Sequence, residues 1–169
     1  MASALHVLRV LVVEDDDDNA ETTSLLLRML GHETEVAYSG ETALEKAPSF
    51  VPDLMLIDLA MPRFDGFELE NCFRLIPAFN KTPMIAVSGY VDALHRQQAF
   101  EAGFDGFLGK PFTKDDLAEV CDRAVRASPL GTTASVGQPR TARRELSPRG
   151  RFDFWINSHG IEDPEFYCR

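Results

Sequence analysis

The stretch VLRVLVVED, residues 7–15, decides how this chain folds: seven residues with a single charge, followed at once by two acids. A near-continuous apolar run of that length is what a strand buried on both faces requires. The pattern recurs as LMLID at 54–58, MIAVSG at 84–89 and FLGKP at 107–111. In each run the residues able to do chemistry stand where the strand stops: Glu14-Asp15, Asp58, Ser88-Gly89 and Lys110-Pro111. In open α/β sheets, ligands bind in the crevice beyond the carboxyl ends of the strands.

Helical patterns alternate with these runs. After the strand Val7–Val13, Leu25, Leu26, Met29 and Leu30 are expected on the inner face of a helix that stops at Gly31. Glu33–Ala37 reads as a short strand, and Ser39 as the cap of a helix to about Ala47. Further helices are expected over Phe64–Leu75, after Met61-Pro62, and over Ala93–Ala102, before Gly103. Phe107-Leu108 is a short fifth strand. Thr113-x-x-Asp116 fits a capping box, with Leu117, Val120, Cys121, Ala124 and Val125 following at helical spacing. Five strand–helix units in this order imply a parallel sheet covered on both faces, with right-handed crossovers bringing the strand ends to one edge.

Composition narrows the function. Residues 1–127 carry 11 Lys/Arg against 22 Asp/Glu, so the domain lacks the cationic surface on which nucleic-acid affinity rests, and direct nucleic-acid binding is not expected. No segment approaches the roughly 18 apolar residues of a membrane span, so no membrane association is expected and a cytoplasmic location is the default. Cys72, Cys121 and Cys168 are an odd number without C-x-x-C spacing, which supports neither a disulfide framework nor a zinc site.

Three acids, one hydroxyl and one lysine at strand ends suit a divalent cation and a phosphoryl group. A carboxylate can attack a phosphoryl group, but the approach of two anions needs neutralisation. Glu14, Asp15 and Asp58 in one crevice would also repel one another without a cation among them. Mg²⁺ prefers oxygen ligands and tolerates retained waters and phosphate oxygens, and Mn²⁺ would serve as well.

Residues 5–127 resemble a response-regulator receiver domain of two-component signalling. The resemblance rests on Val12-Val13-Glu14-Asp15, on Asp58 with Met61-Pro62 and Asp65-Gly66 behind it, on Ser88-Gly89, and on FLGKPF at 107–112. It implies a flavodoxin-like (βα)5 fold, a five-stranded parallel sheet in the order 2-1-3-4-5. Asp58 would then be the phosphoacceptor. Mg²⁺ would be held by Glu14, Asp15, Asp58 and the backbone carbonyl of Ala60. Lys110 and the Ser88 hydroxyl would bind phosphoryl oxygens, with Ser88 and Phe107 as switch residues and a cis Lys110-Pro111 bond aiming the lysine inward.

The resemblance further implies a phosphoryl donor, either a histidine kinase or a phosphotransfer protein, and a downstream protein partner. It implies no enzyme activity beyond self-phosphoryl transfer and slow autodephosphorylation. The face built from the fourth helix, fifth strand and fifth helix would carry the readout, and would be the face of a homodimer if one forms.

Other readings fit less well. A phosphatase of the haloacid-dehalogenase-like plan needs a second aspartate two residues after the first, where Ala60 stands. A dinucleotide site needs G-x-G-x-x-G after the first strand, and none is there. A degenerate receiver, acting as a phosphorylation-independent interaction module, would have lost an acid or the lysine.

After Ala127 the composition changes. Residues 128–151 are rich in Ser, Thr, Pro, Gly and Arg and read as a flexible linker. Residues 152–169 hold Phe152, Phe154, Trp155, Ile156, Phe166 and Tyr167 and read as an aromatic tail, with two alternatives open: a segment that docks on a receiver surface, or a mobile end.

Overall fold

Alternating side chains along each strand assign the two faces of the sheet. In the computed structural model, described here for residues 6–127, β1 (Arg9–Val13), β2 (Glu33–Ala37), β3 (Leu54–Asp58), β4 (Met84–Ser88) and β5 (Gly106–Gly109) form one parallel sheet in the order β2-β1-β3-β4-β5. Successive residues point to opposite faces. Leu11, Val13, Met55, Ile57, Met84 and Ala86 therefore enter one core layer, and Val10, Val12, Leu54, Leu56, Ile85 and Val87 enter the other. Every residue of the central strands β3 and β4 is buried, which is why both are almost wholly apolar.

The first layer is closed by α2 (Gly40–Phe50), α3 (Gly66–Leu75) and α4 (Ala93–Ala102), through Ala43, Ala47, Leu69, Phe73 and Ala99. The second is closed by α1 (Asp17–Met29) and α5 (Lys114–Ala127), through Leu27, Leu117, Cys121 and Ala124. This is the expected flavodoxin-like order, and the strands at 33–37, 54–58 and 84–88 keep their expected bounds.

Helix starts follow local chemistry. Asp16, Ser39, Asp65 and Asp92 each accept a backbone N–H of the first turn, satisfying donors that a helix leaves unpaired. Asp65 and Glu68 form a full capping box, so α3 begins at Gly66 and not at Phe64. At Gly66 a Cβ would lie 2.5 Å from the Asp58 carbonyl oxygen and 2.9 Å from Leu59 Cα. Only glycine lets α3 start so close behind the end of β3. The pair Thr113 and Asp116 caps α5 reciprocally, as the spacing predicts.

Other expectations are corrected. The first strand starts at Arg9, and Val7 is exposed. Helix α2 runs three residues past Ala47, through Pro48 to Phe50, since a missing N–H interrupts the ladder without ending the last turn. The inner face of α1 is Ala20, Thr23, Ser24 and Leu27, while Leu25 and Met29 are exposed. Thr23 and Ser24 can be buried because their hydroxyls are satisfied: Thr23 donates to the Asn19 carbonyl, and Ser24 bonds the Thr34 hydroxyl at 2.6 Å. Strand β5 gains a glycine at each end. Cys121 is buried and free. The linker at 128–151 and the aromatic tail at 152–169 lie outside the described residues.

Candidate functional site

Four strands deliver the site residues to one edge. Leaving β1, Glu14 is pinned by its backbone N–H to the Ala37 carbonyl and is buried, while the next residue, Asp15, is exposed. Asp58 closes β3 and is buried, as is Ser88 at the end of β4. Lys110 follows β5, its backbone N–H donating to the Ser88 carbonyl at 2.7 Å, and the Lys110-Pro111 bond is cis as expected.

The lysine joins the two buried carboxylates. Its Nζ lies 2.6 Å from Glu14 Oε2 and 3.0 Å from Asp58 Oδ2. Asp58 Oδ1 accepts the Ala60 N–H at 3.1 Å. Glu14, Asp15 and Asp58 each offer a carboxylate oxygen within 4.8 Å of the others. Asp16, the next acid in the run, is used differently, since its side chain caps α1. Three oxygen donors at that spacing fit a small hard cation.

Burial is the main reason that Glu14 is pushed up to about 7; the Lys110 hydrogen bond works against it and the Asp58 charge adds to it. Burial would lower the Lys110 ammonium, but its bonds to Glu14 and Asp58 outweigh that and hold it above the usual lysine value. A carboxyl that keeps its proton to about pH 7 must lose it when a cation arrives. Apparent Mg²⁺ affinity should therefore climb on the order of tenfold between about pH 5.5 and pH 7.5. The metal-free fold should change the opposite way, losing stability as pH rises from 4.5 through 7, because the folded state then binds the extra proton. Calorimetric Mg²⁺ titrations across that range check the first effect, and a flat affinity would contradict it.

Ser88 and Phe107 stand where the sequence puts them, with partners it did not reveal. Ser88 Oγ accepts the Tyr90 N–H at 3.0 Å, and the Tyr90 ring stacks on His95 at 5.1 Å. Phe107 is half-buried against the first core layer, with the Arg96 guanidinium 5.4 Å from its ring. A Cβ at Gly109 would lie 2.3 Å from Val91 Cγ1, so the loop after β4 touches the end of β5 directly beside Lys110. Nothing in the spacing of Tyr90, Val91 and His95 signals these contacts.

The chain is similar to known proteins. Residues 10–122 match the family model described as the response regulator receiver domain. The chain belongs to the response-regulator receiver family. A gliding motility regulatory protein of Myxococcus xanthus is 35% identical over 123 residues, which cover 72% of this chain and 16% of that protein. The chain thus spans about a sixth of that relative. A 14.6 kDa protein of Leptolyngbya boryana is 33% identical over 74% of this chain and 95% of its own length. The receiver domain of the Pseudomonas aeruginosa sensor histidine kinase PA1611, whose active-site cleft coordinates a magnesium ion, aligns with a TM-score of 0.66 and 26% identity, covering 71% of this chain and 98% of that one. This receiver has, among its described residues, no helix long and apolar enough to cross a membrane.

Proposed function

We propose that this receiver takes a phosphoryl group onto Asp58 from a histidine kinase or phosphotransfer protein, in a Mg²⁺-dependent reaction, and signals the change to a protein partner. The observation that carries the reading is the Lys110 ammonium bridging Glu14 and Asp58, with Asp15 beside them. These are an acceptor, a counter-charge and a cation-binding set within one crevice. Glu14, Asp15, Asp58 and the Ala60 carbonyl would hold Mg²⁺, which would neutralise the phosphoryl charge; the magnesium in the PA1611 receiver supports that role.

In the transfer, an Asp58 carboxylate oxygen forms a bond to phosphorus as the phosphorus–nitrogen bond of the donor's phosphohistidine breaks. The imidazole leaves with that electron pair. Lys110 then pairs with a phosphoryl oxygen in place of the carboxylate charge it balances now. Ser88 Oγ already accepts from Tyr90, so its own proton is free to donate to another phosphoryl oxygen. Drawing Ser88 inward shifts the loop after β4, and with it the half-buried Phe107. This is a local electrostatic change read out as packing.

The domain itself releases or passes on its phosphoryl group and processes no other substrate in this reading. A phosphorylation-independent role gains no support, since no acid or lysine of the set is missing. Incubation with a panel of phosphorylated histidine kinases and phosphotransfer domains tests the donor class. Label moving to the receiver from at least one of them is expected, and label moving from none would refute the donor assignment.

A further inference from the structure

Helix α4 is held to the domain by very little. Ala99 is its one fully buried residue, and Tyr90, Val91, Leu94 and Phe100 stand 63%, 54%, 62% and 49% exposed along it and the loop before it. A shallow groove of about 480 Å³ runs along the helix, lined by Ala93, Arg96, Gln97, Phe100 and Glu101. Apolar patches of this kind mark interaction sites. Arg96 at its centre makes no ion pair among the described residues, and its guanidinium lies over the Phe107 ring. The neighbouring acids are already engaged: Asp92 pairs with His95, and Glu101 accepts from Gln97.

We infer that the occupant of this face is the chain's own segment Phe152–Tyr167. That segment interleaves Phe152, Phe154, Trp155, Ile156, Phe166 and Tyr167 with Asp153, Glu162, Asp163 and Glu165. An aromatic and acidic segment needs an apolar surface with an unpaired cation, on a domain that is otherwise strongly acidic. The face at α4 supplies both.

Another exposed apolar surface fits worse. It lies between α1 and β2 around Leu25 and Tyr38, and its cations already have polar partners: Lys46 pairs with Glu35 and the Val36 carbonyl, and Arg28, though in no ion pair among the described residues, donates to the Thr34 hydroxyl. Helix α5 ends at Ala127, and the 24 residues from 128 to 151 separate it from the segment. A chain of that length and composition spans roughly 25–29 Å r.m.s., enough to bring the segment round the edge of the sheet to α4. The docked segment would cover the apolar face that any partner of α4 must use, and would lie against Tyr90, whose backbone holds Ser88.

Trp155 is the only tryptophan of the 169 residues, so its fluorescence reads the contact in the unphosphorylated 169-residue chain, whatever the fate of Asp58. In the wild type its emission should be blue-shifted and protected from acrylamide, equally at low and high protein concentration. Leu94→Glu and Phe100→Glu alter exposed side chains; each should keep the far-ultraviolet circular dichroism of the wild type and lose the protection. Leu25→Glu on α1 should keep it. Emission fully exposed in the wild type would overturn the inference, as would protection that survives both α4 substitutions or is lost in Leu25→Glu. Protection that disappears on dilution would assign the face to a second copy of the chain instead.

Discussion

Lys110→Ala is expected to fold with both core layers intact and to lose the phosphorylation-dependent response. The side chain belongs to neither layer and touches only Glu14 and Asp58 through its ammonium group. Its removal leaves two buried carboxylates without their cation. Glu14, at about 7 while Lys110 pulls it down, should then titrate still higher, because burial and Asp58 act unopposed. Carboxyl-carbon NMR titration of the wild type and variant reads that change directly. The phosphorylated variant should bind no partner that the phosphorylated wild type binds, since no cation draws the loop after β5 toward the phosphoryl group. Wild-type partner binding by phosphorylated Lys110→Ala would contradict the assigned role.

The largest effect on stability is expected from Arg74→Ala, far from the site. Arg74 on α3 donates to Glu70 Oε1 at 2.7 Å, to Asp105 Oδ2 at 2.8 Å, and to the carbonyls of Asn80, Thr82 and Gly103 at 2.9–3.1 Å. One side chain thus ties α3 to the turn before β4 and to the end of α4. Glu70 is fully buried, and its Oε2 has no hydrogen-bond partner among the described residues. Without the guanidinium it becomes an uncompensated buried charge, a loss that costs about 3 kcal/mol, the lower end for such pairs because Arg74 is itself 24% exposed.

Burial already raises the Glu70 carboxyl, with Arg74 holding it down. In Arg74→Ala it should rise further, so the folded state keeps the proton to higher pH than the unfolded chain. The defect should therefore be smaller at pH 5 than at pH 8. Urea unfolding at the two pH values measures it, and a variant within 0.5 kcal/mol of wild type at pH 8 would contradict the account. Glu70→Leu added to Arg74→Ala should recover part of the loss, since a buried pair replaced by apolar groups costs little.

The site was legible in the sequence because a doubly buried parallel strand must be apolar. The first polar residue after each run, Glu14, Asp58, Ser88 or Lys110, therefore marks the edge of the sheet. Two helix starts were readable for an equally local reason, the caps Ser39 and Thr113 with partners three residues on, whereas the start of α3, capped by Asp65, was misplaced at Phe64. What was not legible depends on distance along the chain. Lys110 and Glu14 are 96 residues apart, and nothing local signals that the lysine lies closer to Glu14 than to Asp58. The Glu70–Arg74 spacing is a readable helical pair, but the links of Arg74 to Gly103 and Asp105 cross 29 and 31 residues. On α1 the misreading came from hydropathy: Leu25 and Met29 look like core, whereas Thr23 and Ser24 are buried through hydroxyl bonds that hydropathy does not count.

The most direct test of the central claim is intact-mass measurement after incubation with a small acyl-phosphate donor. Wild-type protein in Mg²⁺ should gain the mass of one phosphoryl group, while wild-type protein in excess chelator and Asp58→Asn in Mg²⁺ should gain none. Phosphorylated Asp58→Asn, or equal labelling of the wild type with and without chelator, would contradict an acceptor at Asp58 that depends on a cation held by Glu14 and Asp15.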